Sequence, residues 1–209
     1  MTRSILFAVA AVSLVASPAF AKPTAWDIDS SHSSVTFSVR HMMVSNVKGE
    51  FGKITGAVSY DADKPETSTV DATVDATTIN TRDPKRDGHL KSPDFFDVAK
   101  FPTLTFKSKK VAKAGTGLKL TGDLTMHGVT KEVTFDVTGP VAPIKDGFGG
   151  VRSGATATTK VNRKDFGLTW NKAMEAGGVL VGEDIAVTLE LELTQKAPAA
   201  AAATPTPKK

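Results

Sequence analysis

Polar and apolar residues alternate with a period of two along most of this chain. Ser34-Val35-Thr36-Phe37-Ser38-Val39-Arg40 is one such run, and Val70-Asp71-Ala72-Thr73-Val74-Asp75-Ala76 repeats it. Leu104 and Phe106, then Leu118, Leu120, Leu124 and Met126, then Val133, Phe135 and Val137 keep the same spacing. The longest run is Ile185-Ala186-Val187-Thr188-Leu189-Glu190-Leu191-Glu192-Leu193. Successive side chains of a strand point to opposite faces, so this alternation predicts strands with one dry face. Further strands are expected within 49–60 and 150–161. His127-Gly128 sits between two runs and fits a two-residue hairpin turn, where glycine accepts positive φ. About eight strands in one domain predict an all-β fold, a single antiparallel up-and-down barrel.

The period breaks between Asn80 and Pro102. Asp83-Pro84 is a helix start with proline at the first position, and Ser92-Pro93 repeats the device. Two short helices are therefore expected in a helical insertion over roughly 83–98. Connections of this length inside a small domain are often functional lids.

A closed sheet has one inner face, and here that face is apolar on nearly every strand. The inward positions are Val35, Phe37, Val39, Val74, Leu104, Phe106, Leu120, Leu124, Phe135, Val187, Leu189 and Leu191. At eight strands such an interior is either filled by its own side chains or holds one small ligand. The residues are bulky, and pattern alone leaves both options open.

The ends of the chain read differently. Arg3, the apolar run 5–16 and Ala19-Phe20-Ala21 form a signal-peptide pattern over 1–21. The run is too short for a permanent membrane span. Residues 195–209, rich in Ala, Pro, Thr and Lys, lack any period and are expected to form a disordered tail. One domain over 22–194 remains, of a kind exported to the periplasm, with no stable membrane insertion. The whole chain carries 26 Lys and Arg against 22 Asp and Glu. Leaving out Arg3, Lys196, Lys208 and Lys209 makes the body 22 against 22, so no basic face for nucleic acid is expected. There is no cysteine, which excludes disulfides, thiolate metal sites and a cysteine nucleophile.

Candidate chemistry is sparse. No G-x-S-x-G elbow, H-E-x-x-H pair or glycine-rich phosphate loop occurs. His32 and His41 have neither zinc spacing nor a shared strand face. Asp71 and Asp75 share a face, the solvent side. The sequence thus offers no catalytic constellation, metal site or cofactor motif. A hydrolase or lyase built on His32 or His41 is the weakest of the functional readings.

Residues 26–42, Trp-Asp-Ile-Asp-Ser-Ser-His-Ser-Ser-Val-Thr-Phe-Ser-Val-Arg-His-Met, resemble the YceI family. So do Val47-Lys48-Gly49-Glu50-Phe51-Gly52, Arg82-Asp83 through Asp94-Phe95-Phe96-Asp97, and Phe101-Pro102-Thr103-Leu104-Thr105-Phe106. The segments 122–130 and 162–168 and Val181-Gly182-Glu183-Asp184 continue the likeness, which spans 24–194 in order. The resemblance implies a lipocalin-like barrel in the periplasm, holding a polyisoprenoid chain in an apolar tunnel without catalysis, and often tied to stress response. It favours a cavity over a solid interior, and a solid barrel serving as an envelope interaction module is the alternative. The identity of the isoprenoid and the oligomeric state stay open, a dimer being one option. A prenyl pyrophosphate or quinone head needs polar partners at the tunnel mouth. Arg82, Arg86 and His89, beside two expected helix N-termini, are the candidates, with Lys85 among them and Asn162 and Arg163 in a second polar motif.

Overall fold

A computed structural model describes residues 23–175 and 177–196. Its strands are β1 (Thr24–Ile28), β2 (Ser34–His41), β3 (Ser45–Phe51), β4 (Ile54–Tyr60), β5 (Thr69–Asp75) and β6 (Ile79–Asn80). After the helix α1 (Pro84–Lys91) come β7 (Thr103–Ala114), β8 (Gly117–Met126), β9 (Val129–Thr138), β10 (Ile144–Lys145), β11 (Val151–Asn162) and β12 (Val181–Gln195). All pairings are antiparallel. β12 pairs with β11 along one edge, and with β2 and then β1 along the other. The neighbours run on through β4, β5, β7, β8 and β9 back to β11, which closes the ring. The alternation in the sequence and the absence of an open edge among these eight strands are two sides of one fact. Every strand has an inside, and every ladder has a partner.

Three strands are bent rather than straight. β1 and β2 are one strand interrupted at Asp29–Ser33, β3 and β4 are broken at Gly52-Lys53, and β5 and β6 at a 3-10 turn over Ala76–Thr78. The second and third breaks are stitched together. The Gly52 N–H donates to Thr78 Oγ1 at 3.0 Å, and the Asp75 N–H to the Lys53 carbonyl at 3.0 Å. Strand β12 runs through Gln195, and the Lys196 N–H still donates to the Ala25 carbonyl. Strand pairing therefore continues past Thr194. The expected signal segment 1–21 and nearly all of the expected tail lie outside the described residues.

The connection over 81–102 forms one helix, not two. Asp83 caps α1, its Oδ1 accepting from the N–H groups of Lys85 and Arg86 at 3.0 and 3.1 Å, with Pro84 in the first turn. Ser92-Pro93 begins only a series of turns. The Phe96 N–H donates back to the Leu90 carbonyl and that of Val98 to Lys91, while Asp97 takes a positive φ of 43°. This reversal sends Phe95 and Phe96 down onto the barrel, which a second helix would have prevented. His127 and Gly128 do form the hairpin turn, with φ of 52° and 74°.

Candidate functional site

The interior holds a cavity because part of the inner face is small. On β11 the inward residues include Ala157 and Thr159, and Ala72 on β5 pairs with Phe106. Gly49 lies opposite Phe37, and a Cβ there would stand 2.3 Å from Phe37 Cζ. Gly122 likewise makes room for Phe106. The large rings thus lie over glycines and leave an apolar space of about 160 Å³ for the centre of a water-sized sphere. That is about ten times what one water needs.

Ten of the twelve inward positions read from the sequence line this space. They are Val35, Phe37 and Val39 on β2, Val74 on β5, Leu104 and Phe106 on β7, Leu124 on β8, Phe135 on β9, and Val187 and Leu189 on β12. Leu120 and Leu191 point inward but lie outside the lining. Leu120 packs against the cluster of Phe106, Phe135 and Ala157, and Leu191 against the cluster that contains Trp26, Ile28, Val58 and Leu193. Trp26 and Leu193 are buried to 3% and 2% exposure and close that end of the barrel. The opposite end is roofed by Leu90, Phe95 and Phe96 from the helical connection and by Leu168. Period-two reasoning missed these roof residues because they do not sit on strands. The adjacent pair Phe95-Phe96 inside an otherwise polar connection was the signal that could have found them.

The polar candidates separate in space. Arg163 lines the cavity at 3% exposure. Its guanidinium donates to the carbonyls of Gly182 (2.9 Å), Trp170 (2.8 Å), Leu168 and Val181. Burial pulls its pKa below the usual arginine value. A neighbouring carboxylate, Glu183, is itself held below the carboxylate range by its ion pair with Lys164. The cation is thus dissolved in main-chain dipoles at the cavity wall. Asn162 caps the 3-10 turn that Arg163 opens, accepting from the Lys164 N–H at 3.0 Å. Arg86 donates to Thr81 Oγ1 (2.8 Å) and to the Thr81 carbonyl (2.9 Å), and Arg82 lines an outer groove with Lys48 and Asn80. His89 bonds Asp94 at 2.8 Å and packs edge-on against Phe95 and Trp170, above the roof. None of Arg82, Arg86, His89 and Asn162 lines the cavity.

A second polar cluster lies at the closed end. Arg152 Nη1 meets Asp29 Oδ2 at 2.6 Å and Glu192 Oε1 at 3.0 Å, and its Nε meets Asp146 Oδ2 at 3.1 Å. His32 Nδ1 is 3.0 Å from Asp29 Oδ2. Asp29, His32 and Glu192 bring metal-type ligand atoms together, yet Arg152 already supplies the positive charge at that point. Ser31, then His32 and Arg152, hold Asp29 below the usual carboxylate range, and Asp29 in turn raises His32. His41 ends β2 and His32 precedes it. Strand β2 alone, from Ser34 to His41, spans roughly 23 Å between them. They cannot serve one reaction centre.

A closed eight-stranded antiparallel barrel around an apolar cavity is a lipocalin-like barrel. More narrowly, the chain belongs to the family of the YceI-like domain, whose model matches residues 26–193. The UPF0312 protein SAS2572 of Staphylococcus aureus is 39% identical over 162 residues, covering 78% of this chain and 92% of its own length. The crystal structure of the Campylobacter jejuni YCEI protein is similar at 31% identity with a TM-score of 0.64, covering 75% of this chain and 90% of its own. A polyisoprenoid binding domain from Saccharophagus degradans shares the fold at 15% identity and a TM-score of 0.60, covering 83% of this chain and 99% of its own. Among the described residues no helix is long and apolar enough to cross a membrane.

Proposed function

We propose that this protein is a periplasmic carrier that holds the chain of an isoprenoid lipid, of prenyl phosphate or quinone type, inside the barrel, without catalysis. The observation that carries the proposal is the cavity, whose wall is apolar except for Thr105, Thr159 and Arg163. Such a wall gives a polar substrate few partners, and it gives a hydrocarbon chain a surface free of unmet hydrogen bonds. The polyisoprenoid binding domain that shares this fold supports the same chemistry. Burying on the order of 500 Å² of prenyl chain stabilises the complex by roughly 12 kcal/mol before ordering costs, enough for micromolar affinity after half is lost. Of the five head-group candidates, Arg163 is the one that reaches the cavity, and a pyrophosphate would meet its charge there. The roof of Leu90, Phe95 and Phe96 would shift to admit a long chain.

Organic extraction and mass spectrometry of protein purified from its native host test this reading. A prenyl lipid in near-stoichiometric amount is the expected result. Protein that carries no lipid and also fails to bind an added quinone or prenyl phosphate would overturn it in favour of a solid interaction module.

A further inference from the structure

The β2–β3 hairpin ends in three exposed apolar residues, Met42, Met43 and Val44, at 45%, 54% and 78% exposure. The Val44 N–H donates to the His41 carbonyl at 3.0 Å, so Met42 and Met43 are the two central residues of the turn. Both have positive φ, 49° and 59°. Asn-Gly suits such a turn, and long unbranched apolar side chains are among the poorer choices. This chain thus spends an unfavourable backbone geometry on showing two methionines to water. The tip is also held in place. The Met42 N–H donates to the Leu180 carbonyl at 2.8 Å, and Arg40 Nη2 to the Met43 carbonyl at 2.9 Å. Met43 and the half-buried Met174 both approach Gly178, so the loop after Trp170 lies against the tip. Just below, Val39 and Val181 line the cavity. Over residues 40–46 and 170–180 the charged groups are Arg40 and Lys172 against Glu175, a small positive balance.

We infer that this tip is a docking surface for an anionic lipid bilayer, through which the barrel's cavity end is set against the membrane. Apolar residues at a rigid tip enter the headgroup boundary, cations beside them favour anionic lipid, and methionine adapts to a disordered surface. The inference rests on the carrier reading, since a lipid must pass between membrane and cavity at this end.

The test is flotation of the full-length protein with vesicles of phosphatidylethanolamine and phosphatidylglycerol. The comparison is with the variant Met42→Asn/Met43→Gly/Val44→Thr. Asn-Gly fits the turn better than the native pair, so the variant should melt no lower than the parent. Its partitioning onto vesicles should fall roughly tenfold or more. Phe148→Ser, at the exposed apolar residue of the loop between β10 and β11, should leave partitioning unchanged. Equal flotation of parent and triple variant, or no flotation of the parent, overturns the inference. So does a triple variant that changes only its oligomeric state, because the tip would then be a protein interface. Lipid extracted from each purified protein reads the carrier function separately: a parent that floats but carries no lipid defeats carriage and leaves the docking intact.

Discussion

Phe135 and Phe106 meet edge to face at 5.2 Å inside the barrel, each less than a tenth exposed. Phe135→Asp would bury a carboxylate with no partner, and urea unfolding should show a loss of several kcal/mol. Lys107→Gln, one step outward along β7, should change little. Thr36 cannot serve as such a control, because it is half-buried and its Oγ1 donates to the Thr188 carbonyl. Arg163 is a stronger test of the polar chemistry. Its fork ties the segment after Asn162 to the start of β12 through carbonyls alone. Arg163→Met should lower stability by about 2–4 kcal/mol through loss of its bonds to the Gly182, Leu168 and Trp170 carbonyls, and Arg163→Lys should restore little, since an ammonium cannot span the same acceptors. From sequence Arg163 was visible only as a basic residue in a polar motif. Its burial could not be read there, because the carbonyls that make burial tolerable come from residues 168–182.

The strands were legible because each obeys one local rule, and the twelve inward positions, ten of which line the cavity, follow from parity alone. The helical connection was half legible. Asp83-Pro84 signals a cap, and a cap forms. Ser92-Pro93 gives the same local signal, but the burial of Phe95 and Phe96 overrides it. Asp83→Ala should cost about 1 kcal/mol in thermal or urea melts, through loss of the cap on α1. If α1 holds the roof, bound lipid should also leave faster, as a displacement assay would show. The bends that divide three strands escaped pattern reading altogether. They are register shifts between neighbouring strands, and period two is silent about what lies alongside.

At the scale of the whole barrel the two ends differ. One is plugged by Trp26, Ile28, Val58 and Leu193 and clasped outside by Arg152 with Asp29, Asp146 and Glu192. Asp29 titrates below its ordinary value, so its contribution to stability is complete above about pH 4 and is lost as the pH falls further. His32 titrates above its ordinary value, so its contribution is complete below about pH 6.5 and is lost as the pH rises through the raised value. Melting temperature against pH should therefore show His32→Asn flattening the alkaline flank alone and Asp29→Asn flattening both, since it also removes the carboxylate that raises His32. The other end holds the roof, Arg163 and the hairpin tip. A sheath stoppered at one end gives its contents a direction. On the carrier reading, a chain-shaped guest would go in tail first and come out head first, with its reactive end facing the roofed end. An enzyme or membrane waiting there could take hold of that end before the tail had let go.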